Sequence, residues 1–213
     1  MKPGVDRAVL GILASNALTL AIALWQDWPL VLLLWPYWLQ SVIIGWYARR
    51  RILALTRFST EGFRMGGRAV EANEATRRST ANFFAIHYGF FHFGYLVFIA
   101  AISAVGLFGR RPGLGDFALV ALLGVAFWWA HRDSHRRNLA ADVAGERNIG
   151  TLMFLPYLRV FPMHVTIILG GMLGGGPWAL LLFTVLKTGA DVLMHVVEHR
   201  WLQPEAATGA RAG

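Results

Sequence analysis

The sequence predicts an all-α protein, a polytopic bundle of about six transmembrane helices. Hydrophobic residues make up 56% of the 213 residues and charged residues only 15%, whereas a soluble domain has about 45–50% and about 25%. The apolar residues lie in runs close to the roughly 20 residues that a lipid span needs. Because these runs lack the two-residue alternation of barrel strands, we expect helices to cross the membrane.

Six apolar stretches follow one another along the chain, and each is predicted to be a spanning helix. Gly113–Gly115 and Gly174–Pro177 are turn signals between spans. The one long polar connection, residues 49–80, is basic, and its middle (Glu61 to Ala75) fits either a helix on the membrane surface or a solvated loop. We predict a single domain, 1–203, and a disordered tail, 204–213. The predicted spans are residues 9–25, 28–47, 83–108, 117–135, 153–174 and 177–201.

Basic residues are distributed unevenly between the two sides of the predicted bundle. Seventeen of the 20 Lys and Arg residues fall on the side that holds both termini, and only Arg110 and Arg111 fall on the other. Cytoplasmic loops carry such an excess, so we expect a bacterial inner (cytoplasmic) membrane protein with both termini in the cytoplasm. The net charge of +8 then belongs to membrane loops. Membrane lipids, and not nucleic acid, are the expected partners.

All seven histidines lie in or at the ends of the third to sixth spans. An ionisable residue inside a membrane is costly and indicates function by default. His131 and His135 are four residues apart, as are His195 and His199, so each pair shares a helix face. Lys187 and Asp191 continue the second stripe at intervals of four. Lipid cannot solvate this stripe, which is therefore predicted to face the bundle interior.

The spacing of these histidines, with carboxylates nearby, is typical of a helical metal site. The chain has no cysteine, so any metal must be held by His, Asp, Glu or backbone, and zinc or iron fits such ligands. His131 and His195 are the preferred ligands, joined by His87 or His164. Further roles are assigned to Asp191 and Glu198 (base or partner of a ligand) and to Lys187 and Arg159 (anion or substrate contacts).

Simpler interpretations of the same residues remain open. A single histidine in a membrane helix often makes an interhelical hydrogen bond and nothing more. Lys187 and Asp191 could be a self-neutralising pair that permits insertion. Asn16 and Gln40 could serve as polar contacts between helices.

Several segments resemble domain-of-unknown-function family 6498, an uncharacterised family of bacterial polytopic membrane proteins. The similarity covers about Asn16 to Trp201, although members usually have an acidic residue where this chain has Gln40. The segments are 37–45 (YWLQSVIIG), 84–89 (FAIHYG), 156–160 (PYLRV) running into 164–168 (HVTII), and 186–199. The family brings no established activity. The resemblance implies one shared site made of His87, His131, Arg159, His164, Lys187, Asp191 and His195.

Three functions fit these residues. The first is a metalloenzyme acting on a lipid or another membrane protein, although the paired His-His boxes of lipid desaturases and a His-Glu-x-x-His motif are missing. The second is a proton-coupled transporter or channel, against which few polar residues are expected in the outer half of the bundle. The third is a haem-binding or structural subunit of a larger membrane complex. A homo-oligomer is compatible with each. A polar pocket open only to the cytoplasm favours the enzyme, and a path to the outer side favours the transporter.

Overall fold

The computed structural model describes residues 3–174 and 176–201, with side chains given from residue 9 to residue 197 apart from Asp133, Ser134, Arg137, Asn138, Ala141 and Gly171. The expected all-α bundle is confirmed. The described residues form seven α-helices: α1 (Pro3–Trp25), α2 (Val31–Ala54), α3 (Glu74–Val105), α4 (Leu114–Ala144), α5 (Ile149–Phe154), α6 (Val160–Met172) and α7 (Pro177–Trp201). The predicted disordered tail, 204–213, lies outside the described residues.

Five helical stretches are long and apolar enough to cross a membrane. The apolar part of α1, Val9–Trp25, is shorter than the other stretches. The six predicted spans therefore correspond to five long stretches and one short one. The five long stretches are Val31–Ala54, Glu74–Val105, Leu114–Arg132, Ile149–Gly170 and Pro177–Val197.

Helix α2 lies at the centre of the bundle and packs against α3, α4 and α5. Helices α1 and α6 both pack against α7. Two buried apolar clusters hold these helices together. One includes Leu34, Ile99 and Phe183, and the other includes Ile52 and Phe84. Because lipid is as apolar as these side chains, close packing between helices contributes most to this association.

Short turns join α1 to α2 and α3 to α4 at the end of the bundle that lies away from the long polar connection. We call this end the opposite end. Gly109, between α3 and α4, lies directly against Pro29, between α1 and α2, and its φ of +110° is one that glycine adopts without strain. A Cβ atom on Gly109 would lie 2.6 Å from the Cβ of Pro29. This close approach brings the α1–α2 and α3–α4 turns together.

The predicted fifth span, 153–174, is not one continuous helix. The chain runs through α5, then a 3-10 helix, Leu155–Arg159, and then α6. Pro156 lies in the first turn of the 3-10 helix, where its missing N–H prevents an uninterrupted α-helix. The break places Arg159 at the junction with α6, in the interior of the bundle.

The polar connection between α2 and α3 lies at the other end of the bundle, which we call the basic end. The alternative of a surface helix over Glu61 to Ala75 is wrong. The connection contains three short strands instead: β1 (Phe58–Ser59), β2 (Arg64–Met65) and β3 (Arg68–Ala69). Strands β2 and β3 form a hairpin around Gly66 and Gly67, whose φ angles of +57° and +78° suit the tight turn. Strand β1 pairs in parallel with β4 (Arg147–Asn148), which precedes α5.

Helices α3 and α4 extend well beyond their predicted spans at one end of the bundle. Asn73 caps α3, accepting a hydrogen bond from the Thr76 N–H at 2.9 Å, so this helix begins nine residues before Phe83. Helix α4 continues past His135 to Ala144. Both extensions lie at the basic end, and α4 continues past Arg132, where its apolar stretch ends.

Candidate functional site

Three charged side chains meet halfway along α7, and we call Arg159, Lys187 and Asp191 the ion triad. Lys187 Nζ lies 2.6 Å from Asp191 Oδ2, one helical turn away. Arg159 Nη2 lies 2.7 Å from Asp191 Oδ1. Each carboxylate oxygen therefore accepts a charge-assisted hydrogen bond from a different cation. Two positive charges share one negative charge, which leaves the triad with a net charge of +1.

Helices α1 and α2 complete the surroundings of the triad. Lys187 Nζ also donates to Asn16 Oδ1 at 2.8 Å. The Tyr37 hydroxyl donates to the Arg159 carbonyl at 3.1 Å. The Tyr37 ring centroid lies 5.6 Å from Arg159 Cζ and 5.9 Å from Lys187 Nζ, within the range of cation–π attraction. Groups from three separate helices, α1, α2 and α7, thus contact the two cations.

Arg159 keeps donors that the triad does not use. Its side chain is only 11% exposed, and Nη2 is the nitrogen that reaches Asp191. Its Nε and Nη1 are buried and have no hydrogen-bond partner among the described residues. A buried donor without a partner loses its hydration, so these two nitrogens are suited to bind a further acceptor.

A cavity of about 290 Å³ extends from the triad towards the basic end. We call it the histidine cavity because His131, His135 and His195 line it, together with Asp191 and Arg159. The remaining lining residues are Ile12, Ile44, Tyr47, Ala48, Arg51, Leu152, Leu155, Pro156 and Met194. The structure thus brings together four residues that the sequence assigned to one site: His131, His195, Asp191 and Arg159.

A second cavity of about 650 Å³ lies between the triad and the opposite end, and we call it the distal cavity. Lys187, Asn16 and Tyr37 line its inner part. Its other polar lining residues are Ser15, Thr19, Gln26, Gln40, Arg110, Asp116 and Thr184. Polar groups therefore continue past the triad, and the expectation of few polar residues in that half of the bundle is wrong.

Helix α4 is held by ion pairs at both ends. At the basic end, Asp142 is 1% exposed and lies 2.6 Å from Arg51 Nε and 3.3 Å from Arg147 Nε. At the opposite end, Asp116 accepts from Arg110 at 2.6 and 2.8 Å and from the Gly113 N–H at 2.7 Å. Arg51 lines the histidine cavity and Arg110 lines the distal cavity, so each cavity has an ion pair at its outer end.

His87 and His164 lie apart from the histidine cavity. His87 Nδ1 is 2.8 Å from the Tyr157 hydroxyl, and His164 Nδ1 is 3.1 Å from the Tyr95 hydroxyl. The structure therefore does not bring these two together with His131 and His195, because α3 and α6 turn them towards tyrosines at other helix contacts. Among the described residues, no three His, Asp or Glu side chains are grouped closely enough to hold a metal ion.

Two further predicted residues belong to α7 but have side chains outside the described set. They are Glu198, a candidate base, and His199, the partner of His195 in the four-residue spacing. Their assigned roles stay predictions.

His135 lies beyond Arg132, where the apolar stretch of α4 ends. Burial of the ring lowers its pKa below the usual 6.5, and the positive charges of Arg50 and Arg51 lower it further, while Asp142 opposes them. The ring is therefore neutral at neutral pH. A neutral imidazole at the outer part of the histidine cavity can accept or donate a hydrogen bond.

Comparison with known proteins places the chain in a family. A family model described as a family of unknown function, DUF6498, matches residues 2–208. The chain belongs to the DUF6498 family. No curated protein and no solved structure matches it. The resemblance seen in the sequence is thus confirmed, and the function of this DUF6498 chain has to be inferred from its own geometry.

Three residues of the candidate site were missed or undervalued in the sequence. Asp142 lies beyond the predicted fourth span, so nothing indicated that it pairs with a residue 91 positions earlier. Asn16 was interpreted as a polar contact between helices, and Tyr37 appeared only in a segment that resembles the family, yet both contact the cations of the triad. For Asn16 and Tyr37, the available signal was a polar group within an apolar stretch.

Proposed function

We propose that this DUF6498 chain is a proton-coupled membrane carrier of a small polar solute. The observation that carries the proposal is the position of the ion triad between two cavities. Asp191 lines the histidine cavity, Lys187 lines the distal cavity, and the two side chains pair with each other. An ion pair at the boundary between two cavities that each contain polar groups is suited to control passage from one to the other.

Protonation of Asp191 would provide the coupling step. The ionised carboxylate holds Arg159 and Lys187 through two charge-assisted bonds. A neutral carboxyl group attracts both cations much less, so a proton arriving from either cavity would release them. Release of Lys187 and Arg159 would connect the cavities, and loss of the proton would restore the closed arrangement.

The excess of basic residues supports an orientation for this carrier. The segment between α2 and α3 and the segment before α5 both lie at the basic end, where their strands pair. Because cytoplasmic loops are rich in Lys and Arg, we place the histidine cavity on the cytoplasmic side of an inner membrane and the distal cavity on the outer side.

Cysteine labelling tests whether the two cavities are reached from opposite sides. The chain has no cysteine of its own, so single substitutions give a clean readout. In vesicles of known sidedness, a membrane-impermeant thiol reagent should label Met194→Cys from the cytoplasmic side and Thr19→Cys from the outer side. Val97→Cys, on the exposed face of α3, is the lipid-facing control and should stay unlabelled. Labelling of both cavity positions from the same side would contradict the proposal.

A flux assay tests transport itself. The lumen of proteoliposomes loaded with a pH-sensitive dye should acidify when the outer solution is made acidic in the presence of a candidate solute. Asp191→Asn should abolish the part of this acidification that depends on the solute. The exposed variant Arg78→Gln, outside both cavities, is the matched control. Proton flux that is equal in wild type, Asp191→Asn and empty liposomes would rule out the carrier.

A metalloenzyme acting on lipid is the second candidate, because His131, His195 and Asp191 line one cavity. Because no three of the described His, Asp and Glu side chains are close enough to hold a metal ion, such an enzyme would need a further ligand. Glu198 and His199, one turn or less beyond His195, are the nearest candidates in sequence. Elemental analysis of purified protein tests it: about one zinc or iron per chain, lost in a His131→Ala, His195→Ala variant, would favour the enzyme, and a Soret band would indicate haem.

A further inference from the structure

The histidine cavity contains an excess of positive charge beside unused donors. The ion triad has a net charge of +1, because Asp191 compensates only one of its two cations. A charge at mid-helix within a membrane costs at least about 2.5–3.5 kcal/mol. None of the described side chains that contact the triad is a second carboxylate; Asn16 and Tyr37 are neutral. A counter-anion at the triad would reduce this cost.

We propose that the histidine cavity binds a small oxyanion, a phosphate or carboxylate group, held by an edge of the Arg159 guanidinium that includes one of its unused donors, Nε or Nη1. These two nitrogens are buried without a partner among the described residues, and Arg159 lines the cavity. A planar guanidinium matches the oxygens of carboxylate and phosphate groups better than it matches other acceptors. The inference rests on the proposed function, since it names the class of solute that the carrier moves.

The size and walls of the cavity fit this ligand class. Its volume of about 290 Å³ lies at the lower end of the range of about 300–1,000 Å³ that is usual for small-molecule pockets. His131, His135 and His195 form part of the wall and offer ring nitrogens as donors. A small oxyanion with a few waters would satisfy the unused donors of Arg159.

The Asp191 carboxylate and the oxyanion would then compete for the same cation. While Asp191 is ionised, it engages the Nη2 of Arg159. Once Asp191 is protonated, the net charge of the triad rises from +1 to +2, and the attraction for an anion rises with it. The site would therefore load an anion together with a proton, which is the coupling that a symporter requires.

Equilibrium binding to the full chain in phosphatidylcholine nanodiscs tests the site, with radiolabelled inorganic phosphate and, separately, radiolabelled acetate as probes. We expect saturable binding of at least one probe. Arg159→Gln should weaken it about tenfold or more, because the variant removes the donors. Its fold should survive, since Lys187 and Asp191 remain a neutral pair. Lys187→Met removes the same charge but keeps the Arg159 donors, so it should weaken binding only about threefold.

Two further variants and a search for retained lipid distinguish specific oxyanion binding from attraction to any positive charge and from binding of a lipid headgroup. Arg159→Lys restores the charge without the planar donors and should not restore affinity, while the exposed Arg78→Gln should bind as wild type does. If the oxyanion is a lipid headgroup, neither probe will bind, and mass spectrometry will find an anionic lipid retained by the wild type and lost from Arg159→Gln.

The proposal would be overturned by the absence of both a bound probe and a retained lipid, or by equal binding in Arg159→Gln and wild type. An equal loss in Arg78→Gln and Arg159→Gln would overturn it too, because it would indicate attraction to the basic surface. Binding that depends on Arg159, without flux in proteoliposomes, would support the anion site and reject the carrier.

Discussion

Lys187 and Asp191 are paired across one turn of α7 at 2.6 Å, yet they line different cavities. Asp191 faces the histidine cavity and Lys187 faces the distal cavity. A single ion pair therefore lies between two cavities that extend towards opposite ends of the bundle. This arrangement favours a carrier over a pocket with one opening, because a simple stabilising pair would not require a cavity on each side.

Asp191→Asn should destabilise the protein strongly. The substitution leaves Arg159 and Lys187 as neighbouring buried cations, and removal of one partner from a buried ion pair typically costs about 3–5 kcal/mol. A thermal melt in detergent should show a large drop. The double variant Asp191→Asn, Lys187→Met returns the site to one net positive charge, as in the wild type, and should recover part of the loss. If Asp191→Asn had the same melting temperature as the wild type, this account would be contradicted.

Asp142→Asn should loosen the basic end of α4. Asp142 is the described carboxylate between Arg51 and Arg147, and its removal from a site that is 1% exposed should cost about 3 kcal/mol. Hydrogen–deuterium exchange should rise in the last turns of α4 and in β4. Asp116→Asn is the matched control, because its partner Arg110 is 56% exposed, and a surface pair contributes about 1 kcal/mol or less. Equal effects of the two variants would argue against a special role for Asp142.

The sequence predicted the residues of the site better than their partners. Spacing by four placed Lys187 and Asp191 on one face, because helical periodicity is local. The contact between Arg159 and Asp191 joins residues 32 positions apart, and periodicity contains no information on which helices become neighbours. For the same reason His87 and His164 were grouped with His131, although their helices turn them towards Tyr157 and Tyr95.

The β2–β3 hairpin and the break in the fifth span were indicated by glycine and proline residues, but the hydropathy pattern favoured a different interpretation of both. Gly66 and Gly67 between short polar runs are a hairpin signal, but the mixture of charged and apolar residues around them also fits a surface helix. Pro156 marked the break in the fifth span, although a continuous apolar run of this length reads as one helix. Both features depend on turn chemistry rather than on hydrophobicity.

Gly45→Ala should weaken the packing of α2 against α3. A Cβ atom at this position would lie 2.5 Å from the Tyr88 ring, and this ring is 4% exposed with its hydroxyl bonded to the Ser41 carbonyl at 3.0 Å. The ring cannot move without losing that bond, so we expect a loss of about 1–3 kcal/mol, typical of overpacking. Melting temperature is the measurement.

Two other glycines calibrate the effect of Gly45→Ala. A Cβ on Gly124 would meet the end of the flexible Leu39 side chain, and one on Gly89 would meet no atom within 4 Å. Gly124→Ala should therefore cost less than Gly45→Ala. Gly89→Ala should be neutral or slightly stabilising, because alanine favours the helix. A different order of the three melting temperatures would show that Tyr88 can adjust.

His135 should make stability fall as the pH becomes acidic. Because burial and the charges of Arg50 and Arg51 lower its pKa in the folded state, the unfolded chain binds a proton more readily below the unfolded pKa of about 6.5. Stability is therefore lost as the pH falls through this value, by up to about 1.4 kcal/mol for each unit of lowering. His135→Gln removes the titrating group but keeps a polar side chain. The melting temperature of the wild type minus that of the variant should decrease between pH 7.5 and pH 5.5. A difference that stays constant or grows over this range would mean that the His135 ring is not held neutral by its surroundings.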